Sequence, residues 1–423
     1  MKAYINVNLV TCDSVFHVYR EGLLVVEDDR IAYCGPYDEN WLGKCSETVD
    51  YEGAWIMPGL VNCHTHSAMT LLRGIRDDSN LHEWLEGYIW PAESQFTAEL
   101  TTHAVQLALA EMLLSGTTTF NDMYNPQGVE IDRIYQTVRQ SGMRCYFSPT
   151  LFSSEAETAE ETLARTRAII EKIRSYDDED FQVMVAPHSP YACDEDLLKG
   201  SLELARELDL KLHIHVAETQ EENKIILERY GKRPLAFLKC LGYLEQPAIF
   251  AHGVELNPSE IADLVASPVS IAHNPISNLK LASGVAPVTD LLAAGVTVGL
   301  ATDSVASNNN LDMFEEGRTA ALLQKMRAGD ATQFTIEQAL KALTIEGAKA
   351  LGLEDKIGSL ETGKQADFIV IQPKGQLHLY PLGNMLSHLV YAVKGSDVQD
   401  VYIAGQQVVR DGQVLTVDVG NFV

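Results

Sequence analysis

The sequence predicts an α/β fold: a (β/α)8 barrel of the TIM type with a small β-sandwich built from both chain termini. Three observations predict it. Between about residues 55 and 305, short β-rich runs alternate with longer amphipathic helical patterns. Most of these runs end in residues able to bind a metal or move a proton. The two ends of the chain, by contrast, hold only short strands and turns. Strands alternating with helices make a parallel sheet with crossover connections, and barrels of this kind place their chemistry at the carboxyl ends of the strands.

In chain order, residues 1–55 contribute short β-rich pieces such as 22–27 and 30–33. Eight barrel strands are then expected at 56–66, 117–123, 144–150, 182–189, 211–218, 248–254, 269–275 and 297–303. Segments 102–114 and 163–175 lie between them and carry apolar residues at helical spacing. The tail returns to short strands at 366–371 and 401–405. Neither terminal piece has much core of its own. Residues 1–55 and 360–423 are therefore expected to pair into one sandwich, each supplying the face the other lacks, with the barrel spanning 56–359.

A length of 423 residues suits one large barrel with a smaller appended domain. Lys and Arg total 32 against 59 Asp and Glu, a formal charge of −27 that repels nucleic acid and anionic lipid. A small-molecule substrate is the expected partner, and a homo-oligomer is compatible with the pattern. The longest apolar stretches, such as 291–301, are too short and Gly-broken to span a bilayer. The opening residues lack the apolar core and cleavage site of a signal peptide, so a cytoplasmic location is expected. Seven scattered cysteines without a Cys-x-x-Cys fit reduced thiols. Cys63 adjoins His64 and should face the opposite side of its strand.

The chemistry gathers at strand ends. His64 and His66 are two apart and share a face at the end of strand one, a pattern equally at home at a solvated strand end. His213 and His215 share a face on strand five, with Glu218 three residues on. His213 lies deeper and reads as a core histidine. His252 ends strand six, and Asp303 ends strand eight, where it could equally cap the next helix. Four histidines and an aspartate at the carboxyl ends of strands one, five, six and eight are hard to assign to chance. Three imidazoles and one carboxylate can leave a coordination position for water, the open arrangement of a catalytic zinc.

His64-Thr-His66, His215-Val-Ala-Glu218, Ala251-His252-Gly253, His273-Asn-Pro-Ile-Ser-Asn278 and Thr302-Asp303-Ser304 together resemble the amidohydrolase superfamily, in its deaminase and chlorohydrolase branch. The resemblance covers nearly the whole chain. It implies hydrolytic deamination of an adenosine-type nucleoside, such as 5′-methylthioadenosine or S-adenosylhomocysteine, to the inosine-type product and ammonia. It further implies His64, His66, His215 and Asp303 as ligands of one divalent metal, foremost Zn2+, with Glu218, His252 and Asp303 as catalytic groups. Glu93, in Pro91-Ala-Glu93, is implied as the acceptor of the ribose hydroxyls, and Arg144, His188 and Glu218 as further substrate contacts, although Arg144 could equally pair structurally with one of the many acids. Strand four lacks the lysine that two-metal relatives carbamylate, which favours one metal. Guanine, cytosine or an s-triazine remain alternative substrates, and a non-catalytic barrel scaffold the alternative outside enzymes.

Overall fold

The structure is a computed structural model that describes residues 1–124 and 129–420. Of the tail segment 360–423, positions 421–423 lie outside the described residues.

The eight barrel strands are Leu60–Thr65, Thr117–Tyr124, Arg144–Leu151, Phe181–Val183 continued by Ala186–Pro187, Leu212–Val216, Ala248–His252, Val269–His273 and Val298–Leu300. All their pairings are parallel. Strands one, two and five to eight are buried at every residue, which is what a parallel sheet covered on both faces requires. The ring is made of two arcs, strands one to four and five to eight. The arcs meet at isolated bridges, Val185 with Leu212 and Thr65 with Asp303, instead of continuous ladders.

Helices Ala98–Leu114 and Ala159–Arg174 cover the outside. Thr97 caps the first through the amide of Leu100. Thr158 and Glu161 cap the second reciprocally, so orphan amides of its first turn are satisfied. Among the described residues no helix is long and apolar enough to cross a membrane.

The run expected as one strand over 56–66 is two. Residues up to Pro58 belong to the strand Glu47–Pro58, which pairs with Lys2–Val10 and Phe368–Ile371 in the terminal sheet. Barrel strand one starts at Leu60. Gly59 makes the joint because nothing larger fits: a Cβ there would lie 2.3 Å from Thr118 Oγ1.

Strands from both termini share one eight-stranded sheet. Lys2–Val10 and Val398–Ile403 are three positions apart in that sheet, about 14 Å if it were flat. Yet the rings of Tyr4 and Tyr402 stand 5.3 Å apart, so the sheet folds over on itself. The two halves enclose a core of Tyr4, Leu24, Tyr51, Phe368 and Tyr402. One bent sheet thus supplies both layers of the sandwich.

Candidate active site

Asn62 begins the assembly of the site. Its side chain donates to Thr302 Oγ1 (2.7 Å) and accepts from the Thr302 amide (3.1 Å), clasping strand one to strand eight. The Asp303 amide then donates to the His64 carbonyl at 3.0 Å. This seam brings Asp303 Oδ1 to 3.3 Å from His64 Nε2 and 3.2 Å from His66 Nε2. Ser277 Oγ (2.6 Å) and Ser307 Oγ (3.1 Å) donate to the other oxygen, Oδ2, so the carboxylate cannot rotate away.

Each histidine is turned by a partner on its far nitrogen. His66 Nδ1 donates to the Met123 carbonyl and His215 Nδ1 to the His188 carbonyl, both at 2.7 Å. With those hydrogens engaged, each Nε2 presents a lone pair to the centre. His64 Nδ1 meets His213 Nε2 at 2.9 Å, and His213 is held in turn by Asn121 at 3.1 Å. The donor atoms of His64, His66 and His215 lie within 4.8 Å of one another, as do those of His64, His252 and Asp303.

Buried His64 Nε2 has no hydrogen-bond partner. An unpaired nitrogen among imidazoles and a carboxylate is unfavourable unless a cation completes the set, so these residues fit a divalent ion. Burial alone would raise the Asp303 pKa, but the neighbouring His64 and His66 imidazoles hold its carboxylate well below the usual range. Burial, with the surrounding imidazoles, pushes His215 well below the ordinary histidine value. Both are therefore in their ligating forms near neutrality.

Glu218 Oε2 lies 3.6 Å from His252 Nε2. Burial pushes the Glu218 carboxyl well above its ordinary range, and Asp303 and Glu222 add to the effect. Glu222 also builds the Glu218 loop by accepting from the amides of Ala217 (3.0 Å) and Glu218 (2.7 Å). His252, driven by burial to about 3, is neutral. The amide nitrogens of Asn274 (3.1 Å) and Asn278 (2.9 Å) donate to its Nδ1, which leaves the ring hydrogen on Nε2, facing Glu218. Ala217, His252 and Asp303 all have left-handed backbones, with φ of 53°, 76° and 61°. Such conformations cost about 1–3 kcal/mol each and concentrate at functional sites.

His66, Glu93, His188, His215, Glu218, His252 and Asp303 line one chamber. Its volume is about 60 Å3 and its outer wall includes Trp84, Leu85 and Trp90. These come from the segment after strand one, folded as short helices Leu81–Trp84 and Trp90–Glu93 around a π-helical turn, Leu85–Ile89. Burial raises the Glu93 carboxyl to about 7. His188 is neutral, pushed by burial to about 3.

Arg144 is the correction. It is the first residue of strand three, at the amino end of the barrel, and lines no part of the chamber. Its guanidinium donates to Asp180 (2.9 Å) and is paired with Asp367 and Gln365. Arg144 therefore joins barrel to sandwich and is not a substrate contact. Ser277, Ser307, Asn274, Asn278 and Glu222 were not singled out from sequence. The first four sit in or beside the His273–Asn278 and Thr302–Ser304 motifs, and that proximity was the available signal.

Residues 55–408 match the family model for the amidohydrolase family, and the chain belongs to that family. Within it, the chain is 47% identical over 417 residues to the 5-methylthioadenosine/S-adenosylhomocysteine deaminase of Bacillus cytotoxicus, covering 98% of this chain and 95% of the relative. Among solved structures it resembles an adenosine deaminase from Xanthomonas campestris with bound zinc, at 36% identity and a TM-score of 0.93, over 99% of this chain and 95% of that one. The atrazine chlorohydrolase of Arthrobacter aurescens, at 22% identity and TM-score 0.88, covering 100% and 98%, shares the fold.

Proposed function

We propose that this protein is a metal-dependent aminohydrolase that converts an adenosine-type nucleoside, 5′-methylthioadenosine or S-adenosylhomocysteine among them, to its inosine-type product and ammonia. The observation carrying the reading is the buried Glu218 beside His252, in a chamber lined also by His66, His215 and Asp303, with His64 against their donor atoms. Relatives named as deaminases of such nucleosides, alike over nearly the full length, support it. The cofactor is one divalent metal ion, with zinc the best fit to a donor set of nitrogens and a carboxylate. Bound there, such an ion supplies a polarised water as nucleophile near neutral pH.

Attack on the amino-bearing carbon of a purine puts charge on the adjacent ring nitrogen. Glu218, buried and with its carboxyl raised well above the ordinary range, donates a proton to that nitrogen and removes the charge. Asp303, ionised and braced by two serines, accepts the proton of the attacking water. His252 orients that water through its Nε2 hydrogen. Asp303 then delivers that proton to the departing amine, the hydroxyl on the same carbon returns its proton to Glu218 as the carbonyl forms, and ammonia leaves.

Glu93 lines both this chamber and the cavity beyond it, where its carboxylate would accept the two ribose hydroxyls. His188 contributes a neutral wall to the base. The substrate is a small molecule, and a cytoplasmic setting fits its chemistry. A panel of adenosine, methylthioadenosine, S-adenosylhomocysteine, adenine and guanine, read by ammonia release, tests the assignment. Nucleosides should outrun free bases; equal or faster turnover of a free base would remove the ribose contact from the reading.

A further inference from the structure

Beyond Glu93 the chamber opens into an outer cavity of about 720 Å3. Trp90, Tyr124 and Phe152 belong to both spaces and form an aromatic neck between them. The far end is polar, with Ser153, Ser154, Glu157 and Arg165. Arg165 Nε donates to Glu157 Oε1 at 3.1 Å and Nη2 to Oε2 at 2.8 Å, while Thr162 Oγ1 also donates to Oε2 at 3.1 Å. Both side chains are about a third exposed, at 33% and 28%. Arg165 is the sole arginine or lysine among the described residues lining either space.

With the base at Glu218 and the ribose at Glu93, the 5′ substituent of a nucleoside points into this outer cavity. A methylthio group would leave most of it to water. A chain ending in an α-amino acid would cross the neck and bring one positive and one negative group to a paired carboxylate and guanidinium. A lone anion would be opposed by Glu157, but a zwitterion is matched at both poles.

We infer that Glu157 and Arg165 read the amino-acid end of a thioether nucleoside, Arg165 taking the α-carboxylate and Glu157 the α-ammonium. The inference rests on the deaminase reading. The thioether sulfur sits against the aromatic neck, a contact sulfur favours. Binding exchanges one internal ion pair for two pairs to substrate, so the pair is a preset and adaptable site.

The test compares kcat/KM for S-adenosylhomocysteine and 5′-methylthioadenosine in the wild type and in Arg165→Ala and Glu157→Gln. Their ratio should fall roughly tenfold to a hundredfold in Arg165→Ala, mainly through KM, because a charged hydrogen-bonded contact is lost. A ratio is insensitive to any fraction of protein that fails to fold. On the wild type, 5′-S-(3-aminopropyl)thioadenosine, which keeps the ammonium and lacks the carboxylate, should be turned over less efficiently than S-adenosylhomocysteine. An unchanged ratio, an analogue used equally well, or turnover of methylthioadenosine without S-adenosylhomocysteine overturns the inference and leaves the deaminase intact. Ammonia release from none of these nucleosides overturns both.

Discussion

Replacing Glu218 by Gln preserves the side chain's shape but removes the carboxyl proton it must transfer. Turnover should fall by about 10²–10⁴, while zinc content measured by elemental analysis stays stoichiometric, since Glu218 belongs to neither donor cluster. Glu93 sets a different dependence. Its carboxyl, raised by burial to about 7, is ionised above that pH and protonated below it. Two ribose hydroxyls need the ionised form, so KM for a nucleoside should fall as pH rises from about 6 to about 8, and Glu93→Gln should flatten the profile. The cluster of candidate metal donors was legible because strand ends are where a barrel exposes side chains. Arg144 could be read two ways, as a substrate contact or as the structural partner of an acid; it begins its run, directly after Gly142-Met143, and a first residue sits at the opposite end from the chemistry. His213 was legible as buried but not as the partner of His64, because its contact joins strands 149 residues apart.

Individual strands were legible where apolar runs ended in polar residues, and less so where one run served two layers. Pro58-Gly59 divides such a run, and that dipeptide is itself a turn signal which marks the joint in retrospect. Strand eight shows how closely the elements are fitted. A Cβ on Gly299 would lie 2.4 Å from Cys63 Sγ and 3.0 Å from the Gly347 Cα. Strands one and eight and the helix Ile345–Leu351 leave no space there. Gly299→Ala should cost about 1–3 kcal/mol, seen as a lowered Tm. The same shift displaces strand eight beneath Asp303, so metal affinity measured by chelator competition should weaken as well.

At the scale of the molecule, the link between sandwich and barrel runs through Arg144. Arg144 is 1% exposed and Asp367 3%, so removing the guanidinium leaves the Asp367 carboxylate buried without its counter-charge. Arg144→Met should destabilise by about 3–5 kcal/mol, read by thermal or urea unfolding, while the protein that remains folded keeps its kcat/KM because Arg144 is remote from the chamber. That the termini cooperate was legible from their lack of separate cores. That they share one folded-over sheet was not, because strand order is a long-range property that local patterns do not encode.

The barrel's two arcs give the donor set a further meaning. His64 and His66 come from one arc, His215 and Asp303 from the other, and the arcs touch through isolated bridges. An ion held by all four would act as a rivet across a ring made in two pieces. Demetallated protein should therefore loosen first along the two joins, not at its periphery, and the metal that enables the chemistry would also keep the halves of the ring in register.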